Sequence, residues 1–208
     1  MKKFLSIILA LSMLLCLAAC NKGGGKEQET EESKQEEAGR KIEGDLKAIY
    51  DKVNESVDIA GNVSYVVTKA EDDDRAALMM NYDICDPYAA DYPEEFNAEY
   101  VEASDKLTDY IISLPKDDCT TFVVLRFDEG LPSEGAVNEI KSRVKNYYCD
   151  MRASAIQMYD QEGYEEMVWA IENQDLVWRQ YDNAMVLIIT GGEEPKAAFD
   201  AFEAAAIK

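Results

Sequence analysis

The sequence predicts an α+β fold: a four-stranded, mainly antiparallel sheet made of two hairpins and packed with helices, in the order α-ββ-αα-ββ-α. Three observations carry that prediction. Thr120-Thr121-Phe122-Val123-Val124-Leu125-Arg126-Phe127 is dense in β-branched and aromatic residues, which pack well on a pleated surface. Met185-Val186-Leu187-Ile188-Ile189 contains no polar residue, as a central strand covered on both faces should. Residues 42–57 and 134–156 carry apolar side chains at helical spacings of three and four. The links between paired strands are short, and short links join antiparallel neighbours.

The chain divides into residues 1–19, 20–41 and 42–208. Lys2 and Lys3 precede an apolar run from Phe4 to Leu17, which has the composition of a signal-peptide core and is too short for an ordinary membrane span. Leu17-Ala18-Ala19-Cys20 follows and resembles the bacterial lipobox. That resemblance implies cleavage between Ala19 and Cys20 and a diacylglyceryl group on the Cys20 sulfur. Two acyl chains anchor stably where one binds only marginally. An ordinary secretory signal cut after Ala19, leaving a soluble secreted protein, is the plainer alternative. Residues 21–41 open with Gly23-Gly24-Gly25 and continue rich in Glu, with no aromatic residue and no apolar period. Such a segment cannot bury enough surface to order itself and reads as a tether.

Within the domain, Ile42, Leu46, Ile49, Tyr50, Val53 and Val57 form one stripe of a first helix, with Glu43 and Asp45 at its positive end. Val63 to Val67 is extended. Glu71-Asp72-Asp73-Asp74 is a solvated loop or helix start, without the alternating ligands and Gly turn of a calcium loop. Residues 76–110 are rich in Tyr and Phe and broken by Pro87 and Pro93; Pro93-Glu94-Glu95-Phe96 reads as the first turn of a short helix. Leu107 to Leu114 and Thr120 to Phe127 form a hairpin around Pro115–Asp118. Ser133 caps a helix from Glu134 to about Ile156, and Tyr164 to Ile171 is a second helical piece. Leu176 to Gln180 and Ala184 to Thr190 make the second hairpin, turning at Asp182-Asn183, and Pro195 starts a closing helix through Ala206.

Composition narrows the function. With 42 acidic against 21 basic residues, the chain carries a formal charge of −21, which repels nucleic-acid phosphates and anionic headgroups. There is no histidine, which removes Ser-His-Asp and Cys-His nucleophile systems and the commonest transition-metal ligand. Cys85, Cys119 and Cys149 fit neither a zinc nor a redox spacing; a Cys85–Cys119 bridge is conceivable, and buried thiols are the simpler reading. No catalytic residue, metal site or bound cofactor is expected. Three residues stand as candidate binding positions. Arg126 interrupts an apolar strand, where a guanidinium can hold a carboxylate or other anion. Trp169 and Trp178 flank the junction of the late helix and strand, as core or as a ligand platform.

The strand Thr121–Phe127, the helix bearing Ile140-Lys141-Ser142-Arg143-Val144 and the pair around Leu176 and Val186–Ile189 resemble a family of Gram-positive lipoproteins known only as a domain of unknown function. The family's usual Gly in the late hairpin turn is replaced here by Asp182-Asn183. The resemblance implies an envelope location and the fold above, and supplies no catalytic residues. The expected function is therefore a membrane-anchored, extracytoplasmic binding module for an envelope protein or cell-wall component. The alternatives are a solute-binding lipoprotein serving a transporter and a carboxylate-dependent enzyme.

Overall fold

Side chains alternate across a strand, and here that alternation sorts the apolar residues into two separate cores. The structure is a computed structural model of the 208-residue chain and describes residues 39–115, 120–155, 172–190 and 195–207. In chain order its elements are α1 (Leu46–Ser56), β1 (Val63–Thr68), α2 (Ala76–Tyr82), α3 (Ala98–Lys106), β2 (Asp109–Pro115), β3 (Thr121–Arg126), α4 (Glu134–Ala155), α5 (Gln174–Val177), β4 (Trp178–Tyr181), β5 (Ala184–Ile189) and α6 (Lys196–Ala206). The class is α+β. The sheet has the order β1-β2-β3-β5-β4, and every neighbouring pair is antiparallel.

The two predicted hairpins are present, β2–β3 and β4–β5, joined through β3 and β5. The sheet has five strands, not the four expected. Val63–Thr68, read only as extended, pairs along β2 as an edge strand with a register shift between Val63 and Tyr65. Its short, half-exposed character hid its partner: an edge strand buries too little to alternate cleanly.

Tyr110, Ile112, Val123, Leu125, Met185, Leu187 and Ile189 face the core under α2, α3 and α4. Ile111, Phe122, Val124, Val186 and Ile188 face the core under α1 and α6. β5 is buried at all six positions, as its unbroken apolar run predicts. In the second core Phe122 lies edge-on to Tyr50, with ring centroids 5.2 Å apart, and Phe199 and Phe202 are sealed. Each such side chain contributes about 1.5–3 kcal/mol by leaving water.

Helix starts follow the side chains that can cap. Asp45 accepts the Ala48 N–H at 2.8 Å, so α1 begins at Leu46. Ile42 is buried but lies before the helix, because Gly44 takes φ +95° and breaks the turn. Asn97 accepts the Tyr100 N–H at 2.7 Å, so α3 starts at Ala98, five residues after Pro93, which offers no acceptor. Ser133 caps α4 as predicted, accepting from the Ala136 N–H at 3.3 Å. Leu176 and Val177 belong to the short α5, so the following strand begins at Trp178. The expected helix over Tyr164–Ile171 lies outside the described residues.

A strap over residues 39–44 ties the chain's entry to the late hairpin. Asn183 accepts the Ile42 N–H at 2.8 Å and donates to the Ile42 carbonyl at 3.0 Å. Asp182 donates its N–H to the Arg40 carbonyl and accepts the Gly39 N–H through its carboxylate. Arg40 and Arg179 both hold Glu203 of α6, at 2.8 and 2.7 Å.

Candidate functional site

α2 and α4 meet along a groove of about 500 Å³. α2 reaches it through a strained entry. Asp74 and Arg75 both take positive φ, at 55° and 60°. What holds them is Arg75, whose guanidinium donates to the Ser104 carbonyl at 2.7 Å and the Leu107 carbonyl at 3.3 Å, at the negative C-terminal end of α3. Asp72 accepts the Ala77 N–H and the Tyr110 hydroxyl, both at 2.8 Å. Leu78 and Tyr82, one turn apart, point into the core. Met79 and Met80 are left on the outer side, with Met80 83% exposed.

The floor of the groove is built on Arg143 of α4. Its Nε donates to Glu139 at 2.7 Å, and its Nη1 donates to the Asp83 carboxylate at 2.6 Å and the Asp83 carbonyl at 2.9 Å. Asp83 can present both oxygens because it ends α2 with φ 49°. The guanidinium carbon sits 3.9 Å from the centroid of the Tyr100 ring, and Asn97 donates to Glu139 at 3.1 Å. Burial, with Asp83 next in weight, pushes the Tyr100 hydroxyl up to about 12.

Tyr147 forms the far wall, edge-on to Tyr82 with ring centroids 4.8 Å apart. Its hydroxyl is raised above the ordinary tyrosine range, first by burial and then by the charge of Tyr65. Tyr65 is itself 41% exposed. Met79 and Met80, two of the six large apolar residues that reach solvent among the described residues, line this concavity. Such a site can seat an apolar group on flexible thioethers and aromatic edges and a polar group against a fixed ion-pair floor.

The residues singled out from sequence lie elsewhere. Arg126 stands on the opposite side of β3 from Leu125 and Phe127, as alternation requires. Its guanidinium is ion-paired to Asp109 and donates to the Gly44 carbonyl at 2.7 Å, so it clamps the strap to the sheet. Trp178 is 4% exposed and its indole nitrogen is buried without a hydrogen-bond acceptor among the described residues, so it packs in the core and offers no ligand platform. Cys20, Ala19 and Trp169 lie outside the described residues. Cys85 is a free, fully buried thiol, and Cys119, its conceivable bridge partner, lies outside the described residues; burial holds the Cys85 pKa up while Arg75 pulls it down. Of the acidic run, Glu71 and Asp72 are turned onto Thr68, Ala77 and Tyr110.

Sequence reasoning passed over Met79, Met80, Asp83 and Glu139. A signal was present in the adjacent Met pair, because the inward positions of α2 are taken by Leu78 and Tyr82. The convergence of Asp83, Glu139 and Arg143 spans some sixty residues and needed the fold. No family model, curated protein or solved structure matches this chain, so the geometry alone carries the functional reading.

Proposed function

We propose that the chain is a lipid-anchored, extracytoplasmic binding module of the cell envelope, held by Cys20 and recognising its partner through the α2–α4 groove. The observation that carries it is the exposed pair Met79 and Met80 in a concavity whose charged floor is already internally paired. Exposed thioethers are flexible and polarizable and suit a surface that re-packs on binding. Arg143 is paired with both Asp83 and Glu139, an arrangement that gives a ligand a fixed floor of net negative charge to orient against. The anchor is supported by Lys2-Lys3, the apolar run and Leu17-Ala18-Ala19-Cys20, and the part of the expected tether before the strap, residues 21–38, supplies reach from the membrane.

A second reading, capture of a small solute for a transporter, has the groove's volume in its favour, since small-ligand sites span about 300–1,000 Å³. Pull-down from intact cells after chemical crosslinking separates the two. The anchored protein should recover one envelope protein or wall component, and both Cys20→Ala and the Met79→Gln/Met80→Gln double variant should lose it. Recovery of nothing, together with a thermal shift produced by a small solute, would replace the first reading with the second.

A further inference from the structure

We infer that the α2–α4 groove takes a basic peptide segment of a partner protein, with an apolar side chain seated between Met79, Met80 and Tyr147 and a lysine or arginine beside Asp83. This rests on the groove being the recognition surface.

Charge decides the occupant. The groove has one guanidinium, and Arg143 spends its Nε and Nη1 donors on Glu139 and Asp83 and its face on Tyr100. An anion reaching any donor that remains would lie beside both carboxylates, which repel it. Two carboxylates against one guanidinium leave the groove net negative, and the Asp83 side chain is 73% exposed at the rim, open to a second cation. The whole chain adds its field, at −21. A basic segment is steered toward such a surface, and nucleic acid and anionic lipid are repelled.

Shape decides the rest. Met79 and Met80 are adjacent, unbranched and solvent-facing, so they can close over an apolar side chain of varied form. Tyr147 gives that side chain an aromatic wall already fixed against Tyr82. A purely hydrophilic cation would leave both thioethers in water and gain only the weak attraction of an exposed charge pair.

The test uses the full chain with its methionine methyls labelled with carbon-13 and three synthetic peptides of equal length: alternating Lys and Leu, alternating Glu and Leu, and alternating Lys and Ser. The Lys–Leu peptide should shift the Met79 and Met80 methyl resonances and bind at least about tenfold more tightly than either other peptide, since tenfold corresponds to a single well-made contact of about 1.4 kcal/mol. Met79→Gln/Met80→Gln should weaken it about tenfold. Asp83→Asn, which keeps the left-handed backbone and an acceptor for Arg143, should weaken it severalfold and flatten its salt dependence. Equal binding of the Glu–Leu peptide, or binding that leaves both methyls unmoved, would overturn the inference. If the crosslinked partner of the previous section is recovered and contacts the groove through a neutral or acidic segment, this inference fails while the binding-module reading stands.

Discussion

Replacing Asn183 with alanine should detach the strap from the sheet. The Asn183 side chain makes both hydrogen bonds of Ile42, accepting from its N–H at 2.8 Å and donating to its carbonyl at 3.0 Å, at a site only 9% exposed. Alanine leaves both backbone groups without partners. A buried unsatisfied group costs about 1–3 kcal/mol. The strap can escape part of that cost by lifting into water, but it then exposes Ile42, now 2% exposed, and forfeits about 1.5–3 kcal/mol of burial. The cheaper route sets the loss, about 1.5–3 kcal/mol, which for a domain of this size lowers the melting temperature by about 3–12 °C. Asn183→Gly should cost as much, because neither Asp182 nor Asn183 takes a positive φ and glycine relieves no strain there. Urea denaturation gives the free energy, and amide exchange at Ile42 and Glu43 locates it. A loss below about 0.5 kcal/mol, or unchanged protection of the Ile42 amide, would refute the reasoning.

Three further predictions follow from the same geometry. Arg126→Ala removes the clamp on Gly44 and Asp109 and should cost about 1–2 kcal/mol in urea, while leaving partner recovery unchanged; Arg126→Lys should restore only part, because one ammonium cannot reproduce the fork. Glu102 is held down at about 2 by Lys106 and by Ser133, below its ordinary 4.5. A depressed folded pKa contributes stability that is complete above the unfolded value and lost as pH falls, so stability should decline from about pH 5 towards 2, and Glu102→Gln should flatten that decline. Trp178→Phe should change stability by less than about 1.5 kcal/mol, since the buried indole nitrogen has no hydrogen bond to lose among the described residues; a larger loss in urea would mean that its N–H has a partner.

The sheet was legible where burial is complete. Thr121–Arg126 and Ala184–Ile189 are buried almost throughout, so their apolar runs announce them. The closing helix was legible because Pro195 and the Phe199–Phe202 pair mark its start and its inner face. Residues 76–110 were opaque for a physical reason. Arg75 holds the entry to α2 from the far end of α3, and a tertiary contact of this kind leaves no local pattern. The same holds for the groove. Arg143 was visible as a helix residue, but its partners Asp83 and Glu139 meet it only after α2 has packed on α4. Arg126 was noticed for its isolation among apolar residues, and that isolation serves the strap. Asp182-Asn183, read from the sequence only as a turn, gains its reason from Ile42 and Gly39.

The most direct test of the binding-module account is a photo-crosslinking amino acid placed at residue 80 in living cells, compared with the same group at Lys52 on the exposed side of α1. The account predicts one envelope adduct from position 80, none from position 52, and loss of the adduct when Cys20 is replaced by alanine. Equal adducts from both positions, or an adduct at position 80 that survives Cys20→Ala unchanged, would contradict it.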